Sequence, residues 1–204
     1  MTILDPPPGL RVDMQRNRTL LVDAAGRLFG AGRSATMTQI AAEAGISPAT
    51  AYRHFASVDD VLAAYRFEVG RELLEFSRAQ HSEGLQLLEA VCAKWVELVV
   101  RHGESMIHTR SAEGYLARVK AGAYYLTVQA DALARPLEEA ARELGIEHPG
   151  DEALFLWNGF FDPREINDLI HSLQLTAEEA SARLVRTFTA ALAGWSASKD
   201  LSLN

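Results

Sequence analysis

Apolar residues recur at intervals of three and four along most of the chain, and no run alternates with period two between turn dipeptides, so an all-α fold is expected. Leu21, Ala24, Ala25, Leu28 and Phe29 mark one face of a first helix of about thirteen residues that starts near Asn17 and is stopped by Gly30-Ala31-Gly32. Thr36-Met37-Thr38-Gln39 has the form of a capping box, in which hydroxyl and amide side chains satisfy each other's backbone N–H groups. It opens a second helix with Ile40, Ala41 and Ala44 inward. Gly45 ends that helix after barely two turns, Ile46 fills the corner, and Ser47 caps a third helix with Pro48 at its first position, where a missing N–H matters least. Ser57 with Asp60 caps a fourth helix, whose positions Val61, Leu62, Tyr65, Val69, Leu73 and Phe76 keep helical spacing.

Further along, the pattern predicts a helix from about Glu83 to His102, with Leu87, Leu88, Val91, Trp95, Leu98 and Val99 inward, then a short helix near 104–113. A long segment, Leu116 to Leu144, is interrupted by Gly122 and by Pro136, which begins a new helix or bends one, and Gly145 closes it. A helix over about Asp151 to Phe161 follows, Asp162-Pro163 restarts the chain as helix, and the capping box Thr176-Ala177-Glu178-Glu179 opens a last helix running to about Ser196.

With 204 residues, 48% of them apolar and 23% charged, the chain has the balance of a globular protein. Cys92 is the single cysteine, so neither an internal disulfide nor a zinc-binding cysteine pair can form, and a reducing cytoplasm is the expected setting. The first sixteen residues lack a signal-peptide core, and Pro6-Pro7-Pro8 predicts a flexible tail over 1–16. Elsewhere the apolar runs fall short of the roughly 18 residues of a membrane-spanning helix. Charge is uneven: residues 1–56 hold six arginines against four acids, +2, whereas the whole chain carries −7 and the remainder therefore −9. Such acidity argues against a protein that coats nucleic acid, but allows a local DNA-reading face near the N-terminus. No nucleophile elbow, P-loop, dinucleotide fingerprint or HExxH occurs, and His102 and His108 lie six apart, so no catalytic residue, metal site or cofactor is expected.

Two short helices joined by a glycine turn form a helix-turn-helix, whose second helix enters the major groove with its N-terminal residues at base edges. In GISPATAYRHF, residues 45–55, Ser47, Pro48, Ala49, Thr50 and Arg53 suit such a face, Tyr52 and His54 offer donors to phosphates, and Phe55 belongs inside.

The span LFGAGRSATMTQIAAEAGISPATAYRHFASVDDVL, residues 28–62, resembles the N-terminal DNA-binding domain of the tetracycline-repressor (TetR) family. It shares an aromatic-ended first helix, a Thr cap, Ile-Ala-x-x-Ala-Gly-Ile-Ser, Thr-x-Tyr-x-x-Phe and a capped fourth helix. The resemblance implies a three-helix DNA-binding domain over 17–62 and a larger helical effector-binding and dimerisation domain over 63–204, about nine helices or more in all. It further implies a dimeric, ligand-responsive regulator, usually a repressor, that binds a palindromic site on double-stranded DNA and is released by a small, largely apolar effector. By position, Tyr52 and His54 fall on phosphate contacts, Thr36 and Thr38 at the backbone-touching start of helix two, and Pro48, Ala49 and Thr50 at base-reading positions. Two departures stand out. Val58 replaces a Lys common at the start of helix four, which removes one phosphate contact, and the turn Gly32-Arg33-Ser34-Ala35-Thr36 lacks the usual aromatic, so that Arg33 stands in as a backbone charge.

For the effector, Trp95, Met106, Tyr115, Tyr124, Tyr125, Phe155, Trp157 and Phe160 are candidate walls, with Tyr124, Tyr125 and Asn158 as polar handles. For the homodimer, Leu184, Phe188, Ala191, Leu192 and Trp195 make a stripe on the last helix that either meets a second copy or faces the chain's own core. The rival reading is a helical small-molecule-binding protein with weak or lost DNA binding, for which Val58 is the best support.

Overall fold

The computed structural model describes residues 8–107 and 113–201. Among these, helices account for nearly all regular structure: α1 (Pro8–Gly30), α2 (Met37–Glu43), α3 (Pro48–His54), α4 (Val58–Ala79), α5 (Gly84–His102), a 3-10 turn (Gly103–Met106), α6 (Tyr115–Lys120), α7 (Tyr124–Glu143), α8 (Gly150–Phe160), α9 (Pro163–His171) and α10 (Ala177–Leu201). The predicted short helix near 104–113 is reduced to the 3-10 turn, with 108–112 outside the described residues.

The chain divides into two compact units: described residues up to Arg66 with those of segment 103–109, and Phe67 to His102 with the described residues from 113 on. This division lies inside α4, between Arg66 and Phe67, and the described residues of 103–109 go with the N-terminal unit.

The N-terminal unit is built on α1, against which α2, α3 and the 3-10 turn pack. Its core joins Leu21, Ala24, Ala25 and Phe29 of α1 to Met37, Ile40 and Ala41 of α2, Ala51 of α3, Phe55, and Val61 and Leu62 of α4. Helix α1 begins at Pro8 rather than near Asn17, so residues 8–16 of the expected tail are helical, while residues 1–7 lie outside the described residues. Its apolar stripe begins only at Leu21, so the earlier turns show no core face in the sequence; Pro8 occupies the first helical position, where proline is tolerated.

In the second unit α5 lies centrally against α7, α9 and α10. Leu87, Leu88, Val91, Cys92, Trp95, Val96, Leu98 and Val99 of α5 are all buried. Trp157 and Phe161 stack with centroids 5.2 Å apart, and the Trp95 indole N–H donates to the Phe161 carbonyl at 2.9 Å, which satisfies the one polar atom of a buried ring. Gly122, at φ +78°, separates α6 from α7, whereas Pro136 neither starts nor ends a helix: it lies buried inside α7.

Candidate nucleic-acid interface

Local chemistry sets the geometry of α2 and α3. The Thr36 hydroxyl accepts the Gln39 N–H at 3.3 Å while Gln39 Oε1 accepts the Thr36 N–H at 2.8 Å, a complete capping box. At the turn, the Ile46 N–H reaches the Ala41 carbonyl at 2.9 Å and the Gly45 N–H the Ala42 carbonyl at 3.1 Å. This closure requires the left-handed conformation of Gly45, φ +67°, which residues with a Cβ rarely adopt. Ser47 then caps α3 by accepting the Thr50 N–H at 3.2 Å, and its hydroxyl donates to Thr50 Oγ1 at 2.9 Å.

Helix α3 therefore buries Ala51, with Phe55 just beyond it, and turns its other side outward. Ser47, Pro48, Ala49, Tyr52 and Arg53 are exposed, Thr50 and His54 half-buried, and Tyr52 keeps 56% of its surface in solvent. An aromatic ring this exposed at the centre of a seven-residue helix contributes little to the core, so its hydroxyl is a group available to a partner. Thr38 is also exposed at the start of α2, whereas the Thr36 hydroxyl is engaged in the cap. The hydroxyls of Ser47 and Thr50 hold each other, leaving the Thr50 O–H to donate outward.

Positive charge gathers on the same unit. Arg27 is tied to Glu43 at 2.9 Å, while Arg18, Arg33 and Arg53 have no carboxylate partner among the described residues. Arg18 lies half-buried on α1 with its guanidinium carbon 4.4 Å from the centre of the Phe55 ring. Burial, helped by the charges of Arg53 and Arg18, holds the His54 imidazole below its ordinary value of 6.5, which places all three groups in one neighbourhood. Val58 is half-buried and packs against the helix-turn-helix core, so its side chain is part of the packing of this unit. Arg18 was missed in the sequence because Phe55, its partner, is remote along the chain.

The effector candidates are distributed over both units. Met106 belongs to the N-terminal unit, buried, with its carbonyl accepting from Arg66 Nη2 at 3.1 Å. Trp95 is a core residue, as is Trp157, whose indole N–H meets Cys92 Sγ at 3.4 Å. Phe155 is 51% exposed on α8, its ring 6.1 Å from that of Trp195 on α10. What the fold does bring together is Tyr124, Tyr125 and Phe67, with centroid spacings of 5.7 and 5.4 Å, beside Arg118, whose Nη1 donates to the Tyr125 hydroxyl at 3.4 Å. The nearby Tyr115 hydroxyl donates to Gln129 Oε1 at 3.4 Å. Asn158 instead edges a groove of about 390 Å³ with Phe160, Asp162, Glu165, Asp168, Leu169, Leu173 and Leu184.

The members of the candidate dimer stripe differ in exposure. Leu184, Phe188 and Leu192 are buried within the chain's own second unit, Phe188 completely, because α10 uses this face against α5, α8 and α9. Ala191 is half-buried, and Trp195 is the member that is exposed, at 43%.

A short, outward-facing helix set by a glycine turn and side-chain caps, on a unit whose Arg18, Arg33 and Arg53 lack a carboxylate partner among the described residues, has the form of a helix-turn-helix. Residues 21–65 match the family model of bacterial regulatory proteins of the tetR family, so this segment is similar to the DNA-binding domain of those regulators. No curated protein matches it. Solved structures share the whole fold: the fatty acid degradation regulator FadR from Bacillus halodurans (16% identity, TM-score 0.61, 91% of this chain and 96% of that one) and a tetR-family transcriptional regulator from Streptomyces coelicolor (19%, 0.57, 92% and 85%). A putative transcriptional regulator from Pseudomonas aeruginosa PAO1 is similar at 16% identity and a TM-score of 0.57 over 88% of this chain and 91% of that one. The family is one of transcriptional regulators, not enzymes. Among the described residues no helix is long and apolar enough to cross a membrane, and no three His, Cys, Asp or Glu side chains gather as a metal site.

Proposed function

We propose that the chain is a cytoplasmic repressor that binds a palindromic operator as a homodimer and leaves it when a small, largely apolar effector binds the second unit. The observation that supports the DNA part is the outward face of α3; in this reading Ser47, Pro48, Ala49, Thr50 and Arg53 face the groove and Tyr52 and His54 meet phosphates. Thr38 and Arg33 add backbone contacts from the start of α2 and the preceding turn.

One α3 presents few reading groups, so a twofold pair on half-sites about 34 Å apart is needed for useful specificity. The exposed aromatic pair Phe155 and Trp195 supports α8 and α10 as the surface where two copies meet. Release follows as a population shift. The effector binds better to a conformation in which the two α3 helices are wrongly spaced for adjacent grooves, and DNA affinity falls by that difference in affinity. Tyr124, Tyr125, Phe67 and Arg118 are the groups in the second unit that combine aromatic walls with polar handles, which suits an apolar effector with one polar end.

The test is selection of genomic fragments by the purified chain at two salt concentrations, beside a Tyr52→Phe, His54→Ala variant. An enriched palindrome that the variant recovers poorly is the expected result. If no sequence is enriched even at low salt, the operator reading fails and a ligand-binding protein with weak or lost DNA binding takes its place.

A further inference from the structure

We infer that Arg18, on α1, is a phosphate-binding residue of this DNA interface, held in place by the face of Phe55 and supplying the positive charge absent from the start of α4. The inference rests on the operator-binding reading and adds a residue from outside the helix-turn-helix.

Four observations converge on it. First, the guanidinium carbon stands 4.4 Å from the Phe55 ring centre, and Phe55 is the C-cap of α3, so a group from α1 lies at the end of the recognition helix. Second, a guanidinium lying over an aromatic face is held there by cation–π attraction, which restricts the side chain without using up its N–H donors. Arg18 has no carboxylate among the described residues to take those donors.

Third, Arg18, Arg53 and His54 share one neighbourhood, since both arginine charges act on the imidazole. The charges of Arg18 and Arg53 both act on this imidazole without a carboxylate among the described residues to offset them, and a phosphate beside the three groups would do so. Fourth, the first turn of α4 offers no cation. Val58 packs inward against the helix-turn-helix core, and Asp59 and Asp60 follow it, the latter accepting from the Ser57 N–H at 2.9 Å as a cap. A duplex lying along α3 would meet acidic groups there, so the positive charge that positions the phosphate backbone has to come from another element, and Arg18 is the arginine already fixed beside α3.

Phosphate contacts are independent of sequence and show in the salt dependence of affinity, each adding about one unit to the slope of log affinity against log salt. The experiment measures that slope for wild type, Arg18→Met and Arg18→Lys on two probes: the palindrome recovered by selection and a random-sequence duplex of the same length. Arg18→Met keeps an apolar stem over Phe55 and removes the charge; Arg18→Lys keeps the charge and loses the planar stack. We expect Arg18→Met to lower the slope by about one unit on both duplexes, so that between roughly 50 and 200 mM salt its affinity falls about 3.5-fold less than that of wild type. Arg18→Lys keeps the slope. A slope unchanged in Arg18→Met, with wild type still binding, overturns the assignment of Arg18 and leaves the operator reading standing. Wild type that binds neither duplex overturns both. Thermal unfolding accompanies each variant, and should Arg18→Met fail to fold, Arg18→Gln is measured in its place by the same slope.

Discussion

At the last turn of α3, His54 is half-buried beside two arginines, and this decides how its charge responds to pH. Burial is the larger cause and the charges of Arg53 and Arg18 the lesser; both disfavour the imidazolium and hold the group below 6.5. In the free protein it is therefore mostly neutral at pH 7. A phosphate beside it reverses the balance, because an anion favours the charged form, so DNA binding takes up a proton at His54. Affinity should then rise as pH is lowered from about 7.5 to about 5.5, by at most about tenfold per pH unit for one group. Stability runs the other way. The unfolded chain holds the proton more tightly than the folded one, so the contribution of His54 to stability is present above 6.5 and lost as pH falls through the depressed folded value. His102 is lowered too, by burial first and then by Arg101, and has the same sign in unfolding. Comparing wild type with His54→Gln separates the effects: DNA affinity measured across this range should flatten in the variant, while the part of the unfolding profile due to His102 remains. A variant that keeps the full pH slope of DNA binding would place the proton elsewhere.

Between elements, the orientation of α3 hangs on the turn that precedes it. Gly45 adopts φ +67° and a Cβ there would meet nothing within 4 Å, so Gly45→Ala tests backbone strain alone. A loss of about 1–2 kcal/mol is expected, read as a lower urea midpoint with an unchanged m-value. Gly26 poses a different constraint: a Cβ would come within 2.3 Å of Tyr65 Cε2, so α1 and the start of α4 approach through the absence of a side chain. The turn at Gly45 and the capping boxes at Thr36 and Thr176 were legible in the sequence because each is closed by partners within a few residues. The length of α1 was not, since the side chains from Asp13 to Arg16 are exposed and give no core pattern, and neither was the continuity of α7 through Pro136. The outward face of α3 was readable as a spacing within the helix, but the position of Arg18 was not, because nothing local says that its guanidinium ends over Phe55. For the effector, aromatic residues in the sequence look alike whether they fill the core, as Trp95 and Trp157 do, or reach solvent, as Tyr124 and Phe155 do.

For the whole molecule, the same ambiguity governs assembly. A single helical stripe on α10 can serve the chain's own core or a second copy. Leu184, Phe188 and Leu192 serve the core, while Trp195 with Phe155 lies outward. The two groups thus predict opposite failures. Phe188→Ala should lower the stability of the chain by about 3–5 kcal/mol, because it empties a fully buried site. Phe155→Glu with Trp195→Glu should leave the fold intact and place charges on the surface proposed for contact between two copies, where they could not be desolvated cheaply. Sedimentation velocity at micromolar concentrations checks this directly: wild type is expected as a dimer and the double variant as a monomer with an unchanged helical spectrum. The DNA consequence is separable from the loss of α3 itself. A monomer retains every group of its recognition helix but pays the cost of placing each half-site independently, so affinity for the palindrome should fall towards that for an isolated half-site while the half-site affinity stays as in wild type. A double variant that still sediments as a dimer would move the interface away from these two rings, to another exposed face of the second unit such as that of Leu173.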